Sequence, residues 1–331
     1  MTVPATPASF VENELELRLH SIRYEARDIV SLEWRAPHQD VLPPFTAGAH
    51  IDLRLDDALT RSYSLVNPEH ERDRYVIAVK RDPASRGGSR FVHEQLRVGE
   101  LLRATSPRNH FKLCEDAPHS VLFAGGIGIT PLWSMIQRLD QLARSWELHY
   151  SARSQEHAAF RDHALSLAMQ GRGRVYCHYD ANGQHGQLDL SEAVGRVAGD
   201  AHVYCCGPAP MLDAFERACA ARDPSTVHLE RFAPTVASAP ATTASYTVTL
   251  ARAGRTIPVA PGQSILTALL EAGVSAPHSC KEGVCGSCET RVLEGTPDHR
   301  DSVLSASERA SNRTMMICCS GSKGDALVLD L

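Results

Sequence analysis

Four cysteines place the strongest constraint on what this chain can fold into. Cys280, Cys285 and Cys288 stand at C-x4-C-x2-C in the stretch HSCKEGVCGSCE, residues 278–289, and Cys318 follows Cys288 after twenty-nine intervening residues. This is the ligand spacing of a [2Fe–2S] cluster, in which two sulfide-bridged irons take four thiolates. One short loop delivers three of them only if its backbone curls tightly, and Gly283 and Gly286 supply the positive φ that such a curl demands. A zinc site or a chance grouping is the rival reading; zinc ligands usually come as paired C-x2-C knuckles, and here one such pair exists. A cluster with these ligands moves single electrons at a low potential, about −400 mV. The rest of the chain is therefore expected to be an electron source.

The length of 331 residues predicts two or three domains. A formal net charge of −5 argues against a nucleic-acid or membrane-surface role, since both favour concentrated Lys and Arg. No nucleic-acid or membrane partner is expected. The N-terminus, MTVPATPASFVENELELRL, has neither a basic start nor an apolar signal core, so the ten cysteines are expected in a reducing, cytoplasmic setting. The longest uncharged run, Val121 to Ile136, is too short for a membrane span and is broken by three glycines and a proline.

Residues 1–112 read as a small antiparallel β-barrel. Apolar residues alternate at Leu15, Leu17 and Leu19, at Val30, Leu32 and Trp34, at Ile51, Leu53 and Leu55, and at Tyr75, Ile77 and Val79. Within it lie Arg61-Ser62-Tyr63-Ser64, then Ala78-Val79-Lys80, then Gly87-Gly88-Ser89 ahead of a helix-like run from Phe91 to Leu96. On a strand Arg61 and Tyr63 share a face, so a guanidinium and an aromatic ring can address the phosphate and the ring system of one flavin nucleotide. The glycines before the helix would leave backbone N–H groups for the phosphate. Taken alone, R-x-Y-S is also compatible with packing and solubility.

Residues 113–232 change texture to buried strands (120–124, 147–151, 175–178, 202–206) alternating with helices (132–144, 158–170, 211–221). That pattern predicts a doubly wound parallel α/β sheet. Its first loop, Gly125-Gly126-Ile127-Gly128-Ile129-Thr130-Pro131, would let a pyrophosphate approach the backbone at a helix start, although the same glycines serve where packing alone is tight. Residues 233–244, APTVASAPATTA, read as a linker. Residues 245–331 are expected to form an α+β ferredoxin domain of the β-grasp kind: a hairpin through Tyr246–Leu250 and Ile257–Val259, a helix at 265–272 capped by Ser264, the cysteine loop, and a last strand at 315–320. In that strand Cys318 and Cys319 would face opposite ways, leaving Cys318 as the ligand and Cys319 as an ordinary thiol.

The cysteine loop resembles that of plant-type ferredoxins. Together with R-x-Y-S, GGS, GGIGITP and Cys205-Cys206-Gly207-Pro208, the chain resembles the phthalate dioxygenase reductase branch of the ferredoxin-reductase superfamily over nearly its whole length. The order flavin, nucleotide, ferredoxin matches that branch, which carries FMN; other branches place the ferredoxin first and use FAD. The resemblance implies that Arg61 binds phosphate, Tyr63 packs beside the isoalloxazine, Ser64 lies near flavin N5, and Thr130 and Cys206 sit by the nicotinamide. It also implies that Phe232 covers the flavin face, unless Phe232 simply closes the core. NADH is favoured over NADPH, with Arg153 as the residue that would argue otherwise. The expected route is hydride from NADH to FMN, then single electrons through the cluster to a Rieske-type terminal oxygenase component. The alternatives are a haem monooxygenase as acceptor, or a redox-sensing binding module. From Ala244 onward there are nine acidic and eight basic residues, so docking is expected to rest on local surface such as Glu282, Val284 and Glu289.

Overall fold

The structure is a computed structural model and describes residues 14–38, 41–56, 59–180, 188–234 and 244–331. Most of the expected linker, 233–244, lies outside them. Two compact units are present, one formed by Leu15–Phe232 and one containing Ala233–Leu331. Among the described residues no helix is long and apolar enough to cross a membrane.

The first unit begins with six strands: β1 (Glu14–Ala26), β2 (Ile29–Arg35), β3 (His50–Arg54), β4 (Thr60–Ser64), β5 (Tyr75–Lys80) and, after helix α1 (Gly88–Glu94), β6 (Leu101–Thr105). Their order is β4-β3-β6-β1-β2-β5, and a bridge from Leu65 to Ile77 joins the two ends into a barrel. Period two does the work here. Leu17, Leu19, Leu32, Trp34, Ile51, Leu53, Tyr75 and Ile77 all point inward and are sealed from solvent, each contributing about 1.5–3 kcal/mol of burial. An inward position every second residue leaves the outward positions to carry chemistry.

The same unit continues into a five-stranded parallel sheet: β7 (Ser120–Gly125), α2 (Ile129–Gln141), β8 (Trp146–Ala152), α3 (Arg161–Ala168), β9 (Gly173–Tyr179), α4 (Leu190–Gly195), β10 (His202–Cys206), α5 (Ala209–Ala218) and β11 (Val227–Glu230). The order is β11-β10-β7-β8-β9, so the winding reverses between β7 and β10. Ligands of such sheets bind outside the strand ends at that reversal. Helix α2 starts three residues earlier than the sequence suggests, at Ile129, and buries Leu132, Met135, Ile136 and Leu139 at helical spacing. Strand β11 and helix α4 escaped the sequence reading. Both are short, and β11 is a half-buried edge strand without an apolar run. Barrel and sheet are tied together by Gln137, which donates to the Val66 carbonyl at 2.8 Å, and by Gly48 N–H donating to Ser134 at 3.0 Å.

The second unit contains β12 (Tyr246–Leu250), β13 (Arg255–Val259), α6 (Ile265–Glu271), β14 (Glu289–Glu294), β15 (Pro297–Asp298), α7 (Ala306–Ser311), β16 (Thr314–Met316), β17 (Gly321–Ser322) and β18 (Ala326–Leu329). The main sheet runs β13-β12-β18-β14-β16, with β12 and β18 parallel. Helix α6 packs its Ile265, Leu266, Ala268 and Leu269 into the same core as Val248, Val292 and Leu327. Ser264 caps α6 by accepting from Thr267 N–H, as expected. The strand expected at 315–320 is corrected: β16 ends at Met316, and residues 317–319 form a turn in which Ser320 N–H donates back to the Met316 carbonyl at 3.0 Å. Turn geometry wins over alternation because the chain must reverse before β17.

Candidate functional site

One wall of the barrel and the reversal point of the sheet enclose a cavity of about 570 Å³. Arg61, Ser62, Tyr63 and Ser64 line it from β4, Ala78, Val79 and Lys80 from β5, and Gly88 and Ser89 from the start of α1. Thr130 from α2 and Phe232 from the end of the unit complete it, so residues spread over 170 positions converge. Pro83, Ala84, Arg86, Ile127 and Arg153 also line it, and of these only Arg153 had a candidate role from sequence.

The cavity's polar end is built around Arg61. Its guanidinium donates to the Thr60 carbonyl at 2.8 Å and to the Arg86 carbonyl at 2.9 Å, which fixes its reach. A Cβ on Gly88 would come within 2.7 Å of the Arg61 stem, so the missing side chain lets the first turn of α1 lie against the arginine. Gly87, at φ +101°, turns the chain into that helix. Ser89 accepts from Asp82 N–H at 3.1 Å, tying the helix start to the 82–86 loop. Burial pushes the Tyr63 phenol well above its ordinary range, so the ring is a neutral apolar wall. Ser62 donates to buried Asp52, which pairs with Arg108. Ser64 is buried yet still lines the cavity, which a strict outward alternation would not have given. Phe232 is 43% exposed, so it does not close the core.

The nucleotide loops behave differently. Cys206 is wholly buried and burial raises its thiol well above the ordinary value; it does not line the cavity, nor do Gly125, Gly126, Gly128, Pro131, Gly207 or Pro208. A Cβ on Gly128 would meet the Cys206 carbonyl at 2.1 Å, and one on Gly125 would meet Pro208 at 2.6 Å and the Gly207 Cα at 3.1 Å. These glycines let the two loops at the reversal point close on each other. Gly126, at φ +54°, has open space instead. Sequence reasoning missed Glu230, which stands beside Cys206 in parallel register. Its Oε2 is buried without a hydrogen-bond partner, and desolvation raises the carboxyl to about 8. The only sequence signal was an acid in an otherwise ordinary edge strand.

In the second unit the cysteines form two touching pairs, Cys280 with Cys285 and Cys288 with Cys318. A binuclear centre with two thiolates per iron needs that arrangement; among the described residues no three His, Cys, Asp or Glu side chains are gathered as a single ion would need. The Cys280 thiol is lowered to about 7, first by the neighbouring Cys285 and then by backbone N–H groups of Glu282, Val284 and Cys285 aimed at its sulfur. Donors converging on a sulfur favour its thiolate. Left-handed Lys281, Gly283 and Gly286, at φ between +57° and +73°, produce the curl that aims them. Cys285, Cys288 and Cys318 are buried. Cys319 touches Cys318 and presses on Gly283, where a Cβ would lie 2.5 Å from its sulfur. The opposite-face argument for excluding Cys319 therefore does not hold in this turn.

Residues 248–322 match the family described as 2Fe-2S iron-sulfur cluster binding domain, and 122–217 match oxidoreductase NAD-binding domain. The chain is 56% identical over 317 residues to the phenoxybenzoate dioxygenase subunit beta of Ectopseudomonas oleovorans, covering 96% of this chain and 97% of that one. It is 38% identical to phthalate dioxygenase reductase, described as a modular structure for electron transfer from pyridine nucleotides to [2Fe–2S], with a TM-score of 0.69 over 96% of this chain and 98% of that one. It also matches an intact type IV self-sufficient cytochrome P450 monooxygenase at 38% identity and a TM-score of 0.90, covering all of this chain but 43% of that one. The chain belongs to the phthalate dioxygenase reductase family, as an oxidoreductase whose cofactors are FMN, a [2Fe–2S] cluster and NADH.

Proposed function

We propose that this chain draws electrons from NADH and hands them singly to the oxygenase component of a Rieske-type system. The observation that carries this reading is the cavity where Arg61, Tyr63, Gly88, Thr130 and Phe232 meet although they come from the barrel, the sheet and the last residue of the first unit. Arg61 and the start of α1 hold the FMN phosphate, Tyr63 and Ser64 line the ring, and Thr130 and Phe232 stand where the nicotinamide must enter. With Phe232 half-exposed, it can give way to the nicotinamide without opening the core. Bound FMN supplies the conversion from a two-electron donor to a one-electron acceptor, and no side chain of this chain need act as general acid or base for it. Cys280, Cys285, Cys288 and Cys318 hold the cluster. Gly125, Gly126, Gly128, Pro131, Cys206, Gly207 and Pro208 shape the nucleotide-side wall from behind. The boundaries that suit these roles are 1–112, 113–232 and 245–331, with 233–244 as linker; a cytoplasmic setting suits the thiols.

Anaerobic NADH should bleach both the flavin and the iron–sulfur absorbance, and the reduced protein should then reduce a Rieske oxygenase component. The similarity to a P450 monooxygenase favours one second reading, a haem monooxygenase as acceptor. Faster reduction of such a haem protein than of any Rieske component would select it. Cys318→Ser should abolish the cluster absorbance while the flavin stays reducible by NADH, and Cys319→Ser should keep both. The opposite result would move the fourth ligand to Cys319.

A further inference from the structure

Behind the cysteine loop lies an acid that the ligand pattern does not include. Asp301 is 2% exposed. Its Oδ2 accepts from the N–H groups of Val303 at 3.0 Å and Leu304 at 2.8 Å, while Oδ1 is buried with no hydrogen-bond partner. The titratable groups facing it are His299, whose Nδ1 is 3.9 Å from Oδ1, Arg309, whose guanidinium is 3.8 Å from Oδ2 and donates to the Asp301 carbonyl at 2.6 Å, and Cys319, whose thiol feels the Asp301 carboxylate. His299 is itself sealed in, its Nδ1 also unpartnered and its Nε2 against Asn312 at 3.2 Å.

The segment carrying Asp301 is bonded to both stretches that bear the cysteines. Ser302 N–H donates to the Gly283 carbonyl at 2.8 Å, midway between Cys280 and Cys285. Arg300 N–H donates to Ser320 at 3.2 Å, two residues after Cys318. A Cβ on Gly283 would lie 3.2 Å from the Asp301 Cα, so no side chain separates the two segments. A buried carboxylate with one open oxygen costs several kcal/mol of desolvation in general, and a site needing only a brace would be served by a neutral amide or hydroxyl.

We propose that Asp301 is a positioning residue of the iron–sulfur centre, fixing the segment that ties its two ligand-bearing stretches together and holding its reduction potential down. The proposal rests on the cluster reading above. When the cluster is reduced it gains one electron and no bond is made or broken, so the site gains one negative charge. A fixed carboxylate close by in a low-dielectric interior disfavours that gain, and Arg309 partly offsets the carboxylate. The reduced cluster would thereby keep enough driving force to pass its electron onward to the acceptor.

Asp301→Asn keeps an acceptor for the Val303 or Leu304 N–H and removes the charge. In a redox titration followed by visible absorbance and electron paramagnetic resonance, the ratio of reduced to oxidised cluster at fixed potential should rise about tenfold, a shift of about 59 mV for a one-electron couple. Arg309→Gln, at a more exposed position, should move the ratio the other way by a smaller factor. If the ratio is unchanged in the asparagine variant, or unchanged in the Arg309 variant where the asparagine variant fails to assemble, the proposal is overturned. An unmodified protein with no iron–sulfur signal at all would instead sink the cluster reading, which keeps the two failures distinct.

Discussion

The loops at the sheet reversal and at the cysteines are both rich in glycine, and they use it for different reasons. Gly125, Gly128 and Gly207 have ordinary backbone angles and are needed because neighbouring atoms occupy the place of a side chain: the Cys206 backbone at Gly128, and Pro208 or Met211 with the facing glycine at Gly125 and Gly207. Gly283 and Gly286 are needed first for their positive φ, which turns N–H groups toward a sulfur. At Gly128 the neighbour is rigid backbone; at Gly283 the nearest neighbour is the side chain of Cys319. The lesson is that a glycine in a motif reports either a close approach or a dihedral angle, and only the neighbours tell which.

The largest effect expected from this contrast is Gly128→Ala. Its Cβ would fall 2.1 Å from the Cys206 carbonyl, a backbone atom held in β10, so the two loops must part. A loss of about 3 kcal/mol or more is expected in urea unfolding of the first unit, and Cys206→Ala should give no relief because the clash is with backbone. Recovery in that double variant would break the comparison.

Gly283→Ala should cost about 2 kcal/mol, from the left-handed angle plus the contact with Cys319. Here Cys319→Ala added to it should restore part of the loss, read as the temperature at which the iron–sulfur absorbance disappears. No recovery would mean that the dihedral angle accounts for the whole effect.

The dryness of the corner behind Gly128 can be tested through Glu230. Its folded-state carboxyl titrates near 8 because burial disfavours the charge, while in the unfolded chain it titrates in the ordinary carboxylate range. The folded state thus holds a proton that the unfolded state has lost. The stability tied to that proton is full below the ordinary carboxylate range and is lost as pH rises through about 8. The melting temperature of the first unit should fall between pH 5 and pH 9, and Glu230→Gln should flatten the fall and be the more stable form at the upper end. Parallel curves for the two proteins would show that water reaches the carboxyl.

The smallest effect is at Gly126, where φ is +54° and no neighbour lies within 4 Å of a Cβ. Gly126→Ala should cost only about 1 kcal/mol, the local price of a left-handed residue. A loss as large as that at Gly128 would show that this position, too, is closed by packing.

Much of this architecture was readable because it repeats on a short scale. Leu17, Leu19, Leu32 and Trp34 announce the barrel by alternation, Leu132, Met135, Ile136 and Leu139 announce α2 by helical spacing, and Ser264 announces the start of α6 by its own hydroxyl. The four cysteines carry the two-iron reading by type and spacing alone. What failed was local: β16 stops at Met316, so Cys318 and Cys319 lie in a turn where alternation carries no information. Strand β11 and helix α4 are too short for periodicity to register.

The chain's sequence determined which groups are available and which segments are strand or helix, because side-chain type and spacing act over a few residues. Only the tertiary structure decided who meets whom. Arg61 and Phe232 line one cavity because barrel and sheet pack together, and Glu230 is held dry beside Cys206 because two strands joined through helix α5 run in parallel register. Asp301 lies behind the cysteine loop for the same reason. Burial and pairing are properties of neighbours brought together by folding, and no short-range pattern encodes them.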